Sequence, residues 1–161
     1  MALCLFAGAA LSACSDDPEP VSPADEAQQE SQTKALARQS WLQSSDDIAP
    51  EVWLVARMTR MEVSSEDPEV ARVAALLDAA GHRFRESPRM IANRAVQLQE
   101  MLAEAGIMEE APKLVEDMSF IVDGASGAEG FGALCQHYYN LRSTGLRRDA
   151  ALAALKRRYQ T

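Results

Sequence analysis

Ser87-Pro88-Arg89-Met90-Ile91-Ala92-Asn93-Arg94-Ala95-Val96-Gln97-Leu98-Gln99-Glu100-Met101-Leu102-Ala103-Glu104-Ala105-Gly106 is the stretch on which the fold turns. Ser87 offers an oxygen to the free amides of a first helical turn, Pro88 brings a preset φ, and Gly106 stands where a helix ends. Between these marks Ile91, Ala95, Leu98, Leu102 and Ala105 recur at three and four residues, so they share one helical face. An apolar stripe of this length needs a partner to bury it.

Partners are present on both sides in sequence. Upstream, Asp67-Pro68-Glu69 repeats the pattern of polar cap, early proline and first-turn acid, followed by a stripe of Val70, Val73, Ala74, Leu77, Ala80 and Phe84. Asp47 and its polar neighbours precede a further start at Pro50-Glu51. The likeness between residues 44–52 and 64–70 ends where the helices begin, so it marks two independent starts and not a repeat. Downstream come Leu114, Val115, Met118, Ile121 and Val122, then Phe131, Leu134, Cys135, Tyr138 and Leu141, and finally Leu152, Leu155 and Tyr159. The spacing predicts an all-α domain over residues 48–161, a compact bundle or short stack of helical hairpins with five to six helices. A body of this size buries over about 60% of its extended-chain surface, enough for one core.

Residues 15–33 are of another kind. They carry Asp16, Asp17, Glu19, Asp25, Glu26 and Glu30, three prolines and no cation. Such a segment buries too little apolar surface to offset its ordering entropy, which predicts a disordered tether with a span of about 24 Å. Residues 34–47 form a transition to the helices. Before the tether, an apolar block of residues 2–10 runs into Leu11-Ser12-Ala13-Cys14 and stops at Ser15-Asp16. It is too short for a hydrocarbon core that needs about 20 residues, and it ends in small side chains as an export signal does.

Leu11-Ser12-Ala13-Cys14 resembles the lipobox of bacterial lipoproteins. The resemblance implies removal of residues 1–13 and acylation of Cys14, which would anchor the chain in a membrane of the cell envelope facing the periplasm. Ser15, and not an acid, follows that cysteine, which points to the outer membrane over the inner. No Lys or Arg precedes the apolar block, so the true start is expected upstream of Met1. With Cys4 discarded and Cys14 acylated, Cys135 would be left without a partner for an intramolecular disulfide, and its place on an apolar stripe predicts a buried thiol.

Net charge is −8, and without the six tether acids it is −2. That is no field for a nucleic acid. Catalytic patterns also fail on context. The Gly-rich run from Gly124 to Gly132 is followed by too few residues for a dinucleotide-binding sheet and reads as an interhelical connection; Ser126 lacks the second glycine of a nucleophile elbow. Cys135 and His137 sit about 200° apart on a helix. His82, one turn after Asp78, is accounted for by a helix end, and neither histidine has a second ligand at metal spacing. No cofactor or metal is expected. Glu100 and Glu104 share a face with no defined partner.

The cations are more informative. Arg83, Arg85, Arg89 and Arg94 crowd one interhelical corner, and residues 142–161 carry +5 from Arg142, Arg147, Arg148, Lys156, Arg157 and Arg158 against Asp149. The latter set suits an acidic partner or anionic headgroups. Trp53, with Arg57 four residues on, and Trp41 are candidate contact aromatics, against the leading reading that they pack in the core or at a cap. Together these features predict a non-catalytic protein-binding or assembly-factor module, a role that secretin pilotins fill at similar size. The partner would be another envelope protein. The rival readings are a small cell-wall hydrolase using Glu129 or His137, and an exclusion or immunity lipoprotein.

Overall fold

A computed structural model describes residues 35, 37–122 and 130–160 of the chain. The signal, Cys14 and the tether expected over residues 1–33 lie outside the described residues, as do Ser126 and Glu129. Among the described residues there are six helices of ten or more residues and no strand: α1 (Pro50–Thr59), α2 (Pro68–Phe84), α3 (Pro88–Glu104), α4 (Ala111–Ile121), α5 (Phe131–Ser143) and α6 (Arg148–Tyr159). None is long and apolar enough to cross a membrane.

The starts of α2 and α3 follow the sequence reading. Asp67 Oδ1 accepts from the Glu69 amide at 2.8 Å and Ser87 Oγ from the Met90 amide at 3.2 Å. Helix α1 departs from it: its cap position is Ala49, with no side-chain bond, and Pro50 sets the first turn alone. Gly106, at φ +76°, closes α3 through the Ile107 amide, which returns to the Leu102 carbonyl at 2.8 Å. Ala105 belongs to this cap and is exposed, so the α3 stripe ends at Leu102. Two starts are capped from a distance. Gln99 Oε1 accepts the Ala111 amide of α4 at 2.7 Å, and Glu86 Oε1 accepts the Phe131 amide of α5 at 2.8 Å. Helices α1 and α2 end on Arg60 and Arg85 in the left-handed region, at φ 56° and 55°, where glycine is the usual choice.

Helix α3 is the axis of the bundle. It touches α1, α2, α4 and α5, and it buries Ala92, Asn93 and Val96 in addition to the predicted stripe. Helix α6 lies outside, against α4 and α5. Trp53, Phe131 and Tyr138 are the largest fully buried side chains, with Phe84 set edge-on to Phe131 at 5.1 Å.

Residues 37–48 are part of this body. Leu42 is 1% exposed, and the side chain of buried Asn93 grips its backbone at both ends: Oδ1 accepts the Leu42 amide at 2.7 Å and Nδ2 donates to its carbonyl at 2.9 Å. Arg89 donates to the carbonyls of Gln43 (2.8 Å) and Ile48 (3.0 Å), and Arg57 to that of Gln39. An irregular strap is thereby hydrogen-bonded as a strand would be, by side chains in place of a neighbouring backbone.

Candidate functional site

Helix α6 is fixed from one side by Ala151 and Leu155, which enter the core, and from the other by charge. Arg148 Nε lies 3.0 Å from Asp117 Oδ2, and Asp117, only 7% exposed, also meets Lys113 at 3.2 Å. The carboxylate beside it holds the Arg148 guanidinium above its ordinary pKa. Arg142 is committed too: Nη2 pairs with Glu109 Oε1 at 2.8 Å, both side chains nearly buried, while Tyr138 donates to Glu109 Oε2 at 2.8 Å. Of the six cations singled out in the sequence, Arg142 and Arg148 therefore serve the fold. Their partners lie 33 and 31 residues away, which no local pattern displays.

Arg147, Lys156, Arg157 and Arg158 are exposed, with Asp149 the acid on the same helix. Between α5 and α6 lies a cleft of about 210 Å³ lined by His137, Asn140, Leu141, Ala154, Leu155 and, alone among these cations, Arg158. Leu141, Ala154 and Leu155 make its apolar wall. His137 Nδ1 is hydrogen-bonded to the Tyr159 hydroxyl, and no carboxylate is among the lining residues.

Trp53 does not belong to a surface. It is 0% exposed, under the Arg57 guanidinium at 5.4 Å from its ring, because α1 packs this face against α2 and α3. Arg57 in turn pairs with Glu100 at 2.8 Å, giving that carboxylate a partner 43 residues away in sequence. Trp41 stays partly exposed on the strap. His82 approaches Asp78 at 3.6 Å on open surface.

Cys135 is buried beside Arg94, away from the α5–α6 cleft, and burial pushes its thiol far above the ordinary 9.0. It is no nucleophile at neutral pH. Among the described residues no three His, Cys, Asp or Glu side chains gather as a metal site requires.

The arginine corner holds the described residues on either side of positions 123–129. Arg83 donates to the Val122 carbonyl, and Glu86, paired with Arg94 at 3.3 Å, holds the Phe131 amide, so both stems are tied to one corner. A Cβ on Gly130 would overlap the Glu86 carboxylate and one on Gly132 the Arg94 guanidinium. These two glycines permit close approach, a role the sequence reading of the run as a connection missed.

Burial also raises the Tyr138 hydroxyl above its ordinary 10.0, with Glu109 adding to it. Both shifted groups are neutral in the fold at a pH where the unfolded chain ionises. The stability these two groups contribute is thus present below about pH 9 and is lost as pH rises, first through Cys135 and then through Tyr138. Urea denaturation from pH 7 to 11 is expected to show this decline, and Tyr138→Phe should flatten its upper part. A Tyr138→Phe curve parallel to the parent above pH 10 would count against the assignment.

Residues 51–160, all six helices but for the first residue of α1, match the family model MoxZ. The protein named Protein MoxZ from Paracoccus denitrificans is 32% identical over 120 residues, covering 73% of this chain and 68% of that protein. No solved structure is significantly similar. The chain belongs to the MoxZ family.

Proposed function

We propose that this chain is a lipid-anchored cell-envelope protein whose helical body docks, without catalysis, onto another protein through the α5–α6 face. The observation that carries the docking reading is the exposed charge of Arg147, Lys156 and Arg157 at α6, beside Arg142 and Arg148, which are paired with Glu109 and Asp117 inside the fold. The three exposed cations sit on or at the start of a helix held in place by Asp117, so their backbone is preset while their side chains still order on binding. The anchor rests on the lipobox-like Leu11-Ser12-Ala13-Cys14 and places the body in the periplasm, with the outer membrane favoured by Ser15. Several acyl carbons per chain, at about 0.8 kcal/mol per buried methylene, and more than one chain make such an anchor stable.

A photo-crosslinking residue at exposed Ala153, compared with one at exposed Ala79 on α2, tests the docking face in cells. A discrete protein adduct is expected from position 153 alone, reduced about tenfold when Lys156→Glu and Arg157→Glu remove the steering charge. Identical adducts from both positions, or none, would refute the reading. The anchor has its own test. Cys14→Ser should move the protein from the membrane to the soluble fraction, and unchanged membrane association would refute lipidation.

A further inference from the structure

We infer that the body carries a second site, apart from the α5–α6 face, that binds a free di- or tripeptide with apolar side chains. It is a cavity of about 450 Å³ lined from the end of α1, from α3, and from the turn between α3 and α4. That volume falls within the range of about 300–1,000 Å³ typical of small-molecule sites. Its charges are sorted by wall. Arg57 and Arg60 belong to the α1 side, Glu109 and Glu110 to the turn. Arg57 is held by Glu100, and Glu109 by Arg142 and Tyr138, so neither is available to a ligand. Arg60 and Glu110 are the pair that remain: both are exposed, and neither forms an ion pair with another described residue. Lining one cavity without reaching each other, they suit a ligand that carries a carboxylate and an ammonium group in one molecule.

The space between the charges sets the rest of the ligand. Each wall contributes one thioether, Met58 half-buried on α1 and Met108, 84% exposed, on the turn. Such side chains are flexible and polarizable, and they close over apolar groups of differing shape. Gln99 Oε1 is committed to the Ala111 amide at 2.7 Å, which leaves Nε2 to donate to a ligand carbonyl. A peptide bond supplies that carbonyl, whereas a single amino acid has none to spare once its carboxylate lies on Arg60. Length agrees: a rounded space of this volume is about 9 Å across, and two or three extended residues span about 7–10 Å. A longer chain cannot place both of its ends inside.

NMR on the full chain with ¹³C at the methionine methyl groups tests this, with leucyl-leucine as the probe. Shifts are expected at Met58 and Met108 with a Kd of about 0.2 mM, while Met118 in the core stays in place. Acetylating the amino end or amidating the carboxyl end should each weaken binding about fivefold. Glu110→Gln should erase the penalty of acetylation and Arg60→Gly that of amidation, as expected for directly paired groups. Neither variant threatens the fold. Glu110 caps α4 without a side-chain bond, and Arg60 lies at φ 56°, where glycine is the ordinary choice and keeps the amide bond to the Ala56 carbonyl. Thermal midpoints should therefore stay at or above that of the parent. Equal affinity for the free and the doubly capped dipeptide overturns the proposal, as does the absence of shifts at Met58 and Met108 up to about 10 mM. Tighter binding of glycerophosphoethanolamine, a zwitterion without a carboxylate, overturns it too. The result is independent of the crosslink from position 153.

Discussion

Trp53→Ala is expected to destabilise the protein by about 4 kcal/mol, lowering the thermal midpoint by roughly 12 °C. The indole is 0% exposed and is the largest fully buried side chain, so its removal leaves a cavity at the junction of α1 with α2 and α3. The damage spreads through Arg57, whose guanidinium rests 5.4 Å from the ring while bonding Glu100 and the Gln39 carbonyl. Without the ring beneath it, that arginine loses its support and the strap loses a tie. Trp53→Phe should cost about half as much, since part of the void is filled. Trp41→Ala, at a partly exposed site, should change stability by less than about 0.5 kcal/mol. Denaturant titration separates these outcomes. A loss below about 1 kcal/mol for Trp53→Ala would contradict the burial described above.

Asn93→Ala is expected to cost about 3 kcal/mol, because it strands the amide and carbonyl of Leu42 in a buried position at about 1–3 kcal/mol each when left unpaired. Asn93→Asp retains the acceptor for the Leu42 amide but sets a second oxygen against its carbonyl, so it should fare no better. The two positions form one unit. Leu42→Ala combined with Asn93→Ala should therefore cost less than the sum of the single changes, as residues in one network do. Limited proteolysis offers an independent reading: cleavage within residues 37–48 should accelerate in Asn93→Ala before the helices are attacked. Additive losses with unchanged cleavage would show that the strap does not depend on this amide.

Much of the helical architecture was legible because its signals are local. Asp67-Pro68 and Ser87-Pro88 state where helices begin, and stripes such as Val70, Val73, Leu77, Ala80 and Phe84 state which face is buried. The central place of α3 was not legible. Ala92 and Val96 are buried on flanks that a single stripe leaves to solvent, and Asn93 reads as polar surface until Leu42, 51 residues away, is brought against it. The candidate site was half legible for the same reason. A run of cations shows its net charge but not which members are neutralised by distant acids, so Arg142 and Arg148 could not be told apart from Arg157. Trp53 illustrates the limit from the other side. Its proximity to Arg57 in sequence was real, but only packing shows that the pair faces inward.

The strap also determines where mechanical load enters the molecule. A pull on the chain from its N-terminal side reaches the helices through Gln39, Leu42, Gln43 and Ile48, which Arg57, Asn93 and Arg89 hold from α1 and α3. Tension is thus shared among several bonds and delivered to the middle helix, which touches four others, before any helix end can fray. A body fastened in this way can be tugged by its leading end while α6, which packs on α4 and α5, carries none of the strap's ties.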